Sequence, residues 1–202
     1  MKEKIMNFNG KKLFIRKIQF IRICILAVLI FAKSGFAFSY TLDDYAKNPF
    51  GNVLLIRHAL APGFGDPHDF DLNDCSTQRN LDREGRDQAF RIGEKIKAAG
   101  IKFSKIYSSQ WCRCLETAEY MNLGGISVEP GLNSFFQGIV PKDKTLDRLR
   151  KKLESVEAKQ DLVLMITHQV TITAITGITV SSGGAVAFNT KSGESREVRI
   201  LD

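Results

Sequence analysis

The sequence predicts an α/β fold: a three-layer αβα sandwich around a mostly parallel central sheet. Three observations lead there. Two runs, "NVLLIR" at 52–57 and "DLVLMITH" at 161–168, are almost continuously apolar, as strands buried on both faces are. Stretches with helical periodicity lie between the strand-like runs, which is the βα alternation of a parallel sheet. The 202 residues suffice for one ordinary domain with a sizeable core, and the chain carries no internal repeat or low-complexity tract.

The elements follow in order from Asn52. "NVLLIR" is the first strand, and a loop rich in Gly, Pro and Asp runs over roughly 61–80. "LDREGRDQAFRIGEKIKAAG" is a helix, with Asp82 as its cap, Ala89, Ile92, Ile96 and Ala99 on one face, and Gly100 as its stop. "FSKIYSS" is a short strand. "QWCRCLETAEYM" is a second helix, starting near Gln110, with Trp111, Leu115 and Ala118 on one stripe. "ISVE" is a short strand, and Thr145 caps a third helix with Leu146, Leu149, Leu153 and Val156 inward. After "DLVLMITH", the stretch "VTITAITG" is ambiguous: its β-branched residues favour strand, its place after a strand favours helix. "AVAFN" and "REVRIL" flank "TKSGES" as a closing hairpin.

The formal net charge of +7 is unevenly placed. Residues 1–37 hold eight basic residues and one acid, Glu3; the rest of the chain has 21 of each sign, so its charge makes no case for nucleic acid. In the N-terminal stretch a basic region precedes "ICILAVLIFA", Ile23 to Ala32, too short to span a bilayer comfortably but suited to a signal-peptide core. Gly35 and Ala37 fit a small-residue cleavage site. Residues 1–37 are therefore expected to be a signal peptide and 38–50 a leader into a domain at 51–202. The expected location is the periplasm, with contact to a membrane through the signal segment alone. The alternative is an inner-membrane anchor over 20–38. An exported chain meets oxidants, so Cys75 is expected to pair with Cys112 or Cys114, leaving one thiol free. A zinc site at the C-x-C pair is the rival reading, and no second cysteine pair supports it.

In open α/β sheets, sites form beyond the carboxyl ends of the strands. The first strand ends at Arg57–His58, the late one at Thr167–His168, and "KIYSS" is followed by a helix whose first turn carries Arg113. Each residue read alone is a polar strand end; four converging on one edge point to a site. Guanidinium forks match phosphate oxygens, a helix N-terminus adds donors, and a neutral imidazole is a nucleophile near neutral pH. His68, in the "GDPHDF" loop, lies outside the set and reads as solvated. The cluster suits phosphoryl transfer through a phosphohistidine, with no metal or other cofactor called for.

"RHALAPG", "YSSQWCRCLETA" and "MITH" resemble the three signatures of the histidine phosphatase superfamily, and the resemblance extends over roughly Asn52 to Leu201. "DCSTQRNLDREGRDQA" is similar to the segment joining the first signature to the first helix. The resemblance implies a phosphoglycerate mutase-like fold and, from the short length, the compact phosphatase branch. It implies that His58 is phosphorylated and that Arg57, Arg113 and His168 hold the phosphoryl group. Two signatures depart: Ala59 stands where "RHG" has glycine, and "THQ" (Thr167–Gln169) replaces "GHG". Many relatives place a glutamate general acid in a segment like "GLNSFFQG", and Ser134 stands in its place here. Asp66, Asp69, Asp74 and Glu129 are the carboxyls weighed as substitutes. The expected function is an exported phosphatase of phosphomonoesters, with small phosphorylated compounds or envelope glycan phosphates as substrates. The alternatives are a phosphate-binding module that has lost its acid, or a phosphohistidine phosphatase.

Overall fold

In a computed structural model the chain divides into two units, Met1–Phe38 and Ser39–Asp202. The structure describes residues 40–156 and 162–201, all in the second unit. The expected signal segment, its cleavage site, the alternative anchor and the first two residues of the expected leader, 38 and 39, lie outside the described residues.

A six-stranded sheet forms the centre, in the order β3-β2-β4-β1-β5-β6. The strands are β1 (Val53–Arg57), β2 (Lys105–Ser108), β3 (Ile126–Val128), β4 (Val163–Thr167), β5 (Ala185–Phe188) and β6 (Ser195–Val198). The first four run parallel; β5 and β6 add the expected antiparallel hairpin. Alternation along the strands divides the core into two layers. Leu54, Ile56, Leu164 and Ile166 pack on one face against α2 (Arg83–Ala98) and α3 (Cys112–Met121). Val53, Leu55, Val163 and Met165 pack on the other, against Leu149 and Leu153 of α4 (Lys142–Glu154) and Ile172 of α5 (Gln169–Thr176). This is the three-layer sandwich the sequence predicts.

Helix ends are set by local chemistry. The Asp82 side chain accepts from the Gly85 amide and starts α2. Gly85 also lets α2 press onto the loop after β1: a Cβ there would lie 1.9 Å from the Leu60 carbonyl oxygen. Helix α3 begins at Cys112 rather than near Gln110, with Trp111 as N-cap, and the Cys112 amide donates to Gln78 Oε1. Its buried stripe is Cys114, Ala118 and Met121, while Leu115 is half-buried. Thr145 does not cap α4. The helix starts three residues earlier, after Pro141, and the Thr145 hydroxyl donates back to the Pro141 carbonyl from inside the first turn. "VTITAITG" is a helix, ended by Gly177 at φ 72°. Both edges of β4 are already taken, by β1 and β2, so the segment after it has no strand position beside it.

Residues 40–50, most of the stretch expected as a leader, pack onto the core through Leu42 and Tyr45. Helix α1 (Leu42–Lys47) carries a capping box from Thr41 and Asp44, buries Tyr45, and follows a bridge between Thr41 and Arg199.

Cys75 and Cys112 form a disulfide, and Cys114 is a buried free thiol. The bond ties the loop after β1 to the start of α3 and removes Cys112 from any thiolate pair with Cys114. Closing a loop with a sequence separation of 37 contributes about 2–4 kcal/mol. Non-reducing peptide mapping will recover Cys75 joined to Cys112 with Cys114 alkylatable after unfolding. Reduction will lower the melting temperature by about 10 °C.

Candidate active site

The strand order makes the site. Because β4 lies between β2 and β1, their carboxyl ends stand side by side and deliver Ser109, His168 and His58 to one edge. Backbone bonds lock them there: the His58 amide donates to Thr167 O (2.9 Å) and the Ser109 amide to Ile166 O (3.0 Å). The imidazoles meet edge to face, centroids 5.4 Å apart. Arg57 and Arg113 complete the expected set, and all four residues line one cavity of about 470 Å³.

Hydrogen bonds set the state of each group. His58 Nδ1 donates to the Ala59 carbonyl at 2.7 Å, which leaves the lone pair on Nε2. Burial, reinforced by the Arg113 charge, lowers the His58 pKa to about 3, so the ring is neutral at physiological pH. Burial likewise pushes His168 well below its ordinary value, with Arg113 next in effect. His168 Nε2 lies 2.9 Å from Ser109 Oγ, and its ring meets the Trp111 indole edge to face. Arg57 donates through Nη1 to Val180 O. Arg57 Nε and Arg113 Nε are buried donors without a partner among the described residues, a costly state that an anion's oxygens relieve. At the start of α5, Gln169 and Val170 line the same cavity with amides that intrahelical bonds do not use.

Arg79 is a third guanidinium in the wall, which the sequence reading missed. It donates from Nε to Gly65 O and from Nη1 to Ala61 O. The signal available was the polar run Gln78–Arg79–Asn80 just before the Asp82 cap.

The carboxyls weighed as general acids are placed otherwise. Asp66 accepts both ends of the Arg113 fork, at 2.6 and 3.0 Å, and also the Trp111 indole N–H and the Arg79 amide. Burial alone would raise its pKa; the hydrogen bonds and the Arg113 charge outweigh this and hold it below the usual carboxylate range. Asp74 caps the short 3-10 turn at Cys75–Thr77. Glu129 is paired with Arg148 and Lys152 and accepts from the Gly131 amide. Asp69 and His68 are exposed. Among the described residues no carboxylate lines the cavity; Ser134 does.

A sequence model for the histidine phosphatase superfamily (branch 1) matches residues 53–140, a stretch that contains Arg57, His58, Arg79 and Arg113. Over that stretch, which is less than half of the 202 residues, the chain is similar to this superfamily. No curated protein sequence matches it significantly. Three solved structures share the fold. A candidate alpha-ribazole-5'-P phosphatase from Escherichia coli has 16% identity, with 76% of this chain and 97% of that chain covered, at TM-score 0.55. The Rv3214 protein of Mycobacterium tuberculosis has 17% identity, 72% and 94% coverage, and TM-score 0.52. A candidate phosphohistidine phosphatase SixA from Agrobacterium tumefaciens has 17% identity, 74% and 96% coverage, and TM-score 0.50.

The buried neutral histidines give the protein a pH signature. An unfolded histidine takes a proton below about pH 6.5, whereas the folded His58 resists down to about 3. The unfolded state therefore binds more protons in that window, and stability falls as pH drops through it. Urea unfolding at pH 7.5 and 5.5 will show a loss of about 1 kcal/mol per buried histidine. His58→Ala will remove its share of that loss.

Proposed function

We propose that this chain is an exported phosphatase that hydrolyses phosphomonoesters through a phosphohistidine on His58. One observation carries the reading: a neutral imidazole with its lone pair on Nε2 shares a cavity with two buried, unpartnered guanidinium Nε donors. The export half is supported by the basic-then-apolar N-terminal stretch and by the Cys75–Cys112 bond, which needs an oxidising compartment.

The phosphate oxygens sit on Arg57 and Arg113, with Arg79, His168 and the first amides of α5 around them. His58 Nε2 attacks phosphorus, the N–P bond forms, and the P–O ester bond breaks with its electron pair on the leaving oxygen. The leaving oxygen takes a proton from solvent; water then attacks the phosphoimidazole and gives a proton back to solvent as the N–P bond breaks and the lone pair returns to Nε2. Fixed donors stabilise the charge spread over the three equatorial oxygens in both steps, and positioning contributes most of the rate. The step uses groups of the chain itself.

The leaving oxygen is the weak point. A positioned general acid commonly contributes about 10²–10⁴-fold. Ser134 is a poor donor, and its Oγ accepts from the Phe136 amide. The site therefore favours leaving groups that need little protonation, such as aryl oxygens, acyl phosphates or a protonated phosphohistidine. The same lack of an acid supports the second reading, a phosphate-binding module with little turnover.

Measured kcat/KM values for aryl phosphates of graded phenol acidity will depend steeply on leaving group, and Ser134→Glu will flatten that dependence. A flat profile in the wild type means that an acid reaches the site from elsewhere. Vanadate binding without turnover of any compound favours the binding module.

A further inference from the structure

The cationic end of the cavity accounts for a phosphate. Its rim carries a feature that phosphate does not explain. Phe64 is 90% exposed and Phe136 37%, and their rings meet edge to face at 5.2 Å with an interplanar angle of 86°. Both line the same cavity as His58. Phe64 is the most exposed large apolar side chain among the described residues, and it stands at the opening of a pocket whose floor is polar.

The rim is built rather than incidental. Phe64 lies between Gly63 at φ 93° and Gly65 at φ 71°, so the loop turns sharply there and presents the ring outward. Next to Phe136, Gln137 takes φ 64°, a left-handed conformation that a residue with a Cβ adopts at a cost. The return is a clamp: Gln137 Oε1 accepts from the Asp66 amide at 2.7 Å, and its Nε2 donates to the Asp66 carbonyl at 3.3 Å. A Cβ on Gly65 would come within 2.8 Å of that Gln137 oxygen, so the clamp needs glycine there. Asp66 in turn grips Arg113. Three consecutive residues thus fix the aromatic corner to the anion-binding guanidinium.

We infer that Phe64 and Phe136 are a specificity subsite for the organic part of the substrate: a leaving group with an uncharged ring face, aromatic or saturated, joined to phosphorus through the ester oxygen. This rests on reading the cavity as the phosphate site. With phosphate on Arg57 and Arg113, its ester oxygen faces the rim. Two rings at a right angle there offer a ring substituent one face to stack on and one edge to abut. A short hydrophilic chain gains nothing from either.

Titration calorimetry with non-hydrolysable phosphonates tests this without relying on turnover. Phenylphosphonate will bind wild-type protein about tenfold more tightly than methylphosphonate. Phe64→Ser, at a side chain so exposed that the fold does not depend on it, will reduce that ratio. The Phe64→Ser/Phe136→Ala pair will bring it close to one, with the affinity for inorganic phosphate changed less than about twofold. Equal affinities in the wild type, or a ratio that survives in the double variant, overturn the inference. Hydrolysis of p-nitrophenyl phosphate is scored separately: its absence counts against the phosphatase reading, while the phosphonate ratio still decides the subsite.

Discussion

The Asp66–Arg113 ion pair joins the loop after β1, the start of α3 and the rim of the cavity. Its side chains are 4% and 3% exposed, and the carboxylate also accepts from the Trp111 indole and the Arg79 amide. Through these bonds one residue of the loop after β1 fixes the guanidinium on α3, the ring that packs on His168, and the strand of loop that carries Arg79. The Gln137 clamp on its backbone adds the turn at the rim. A buried pair of this kind contributes little net stability, because desolvation opposes the attraction. Removing either partner, by contrast, strands a charge. Its value here is geometric, since it leaves the Arg113 Nε as the free donor of a fork whose other two nitrogens are spoken for.

Charge balance then dictates the rest. Three guanidiniums border the cavity and one carboxylate answers them. Burial holds both imidazoles neutral, and the charge of the neighbouring guanidiniums pushes them the same way. The excess positive charge is an invitation to a dianion. Neutrality of His58 and the proposed affinity for phosphate thus have one electrostatic origin.

Much of this was legible in the sequence. The ends of β1 and β4, and Arg113 in the first turn of α3, follow from apolar runs that stop at polar residues and from the general placement of sites in parallel sheets. The Asp82 cap and the Gly100 stop fixed α2 for equally local reasons. What escaped depends on contacts distant in sequence. Asp66 and Arg113 are 47 residues apart, so a carboxyl weighed as an acid is in fact a guanidinium's partner. Arg79 is directed by the carbonyls of Gly65 and Ala61, which no periodicity reveals. Thr145 looked like a cap because it is a threonine before an apolar run; its hydroxyl bonds backward instead. The choice between Cys112 and Cys114 was a matter of helix facing: Cys114 points into the core beside His168, where burial raises its thiol to about 12.

The central claim is a covalent one, that the phosphoryl group passes through His58 Nε2. It is tested most directly by rapid quenching of the enzyme during turnover of a 32P-labelled aryl phosphate, followed by mapping of the label. The account predicts a phosphoenzyme that is labile to acid and stable to alkali, with the label on the peptide carrying His58 and none in His58→Ala. Steady hydrolysis by His58→Ala at the wild-type rate, or a label mapped to any other residue, would contradict it.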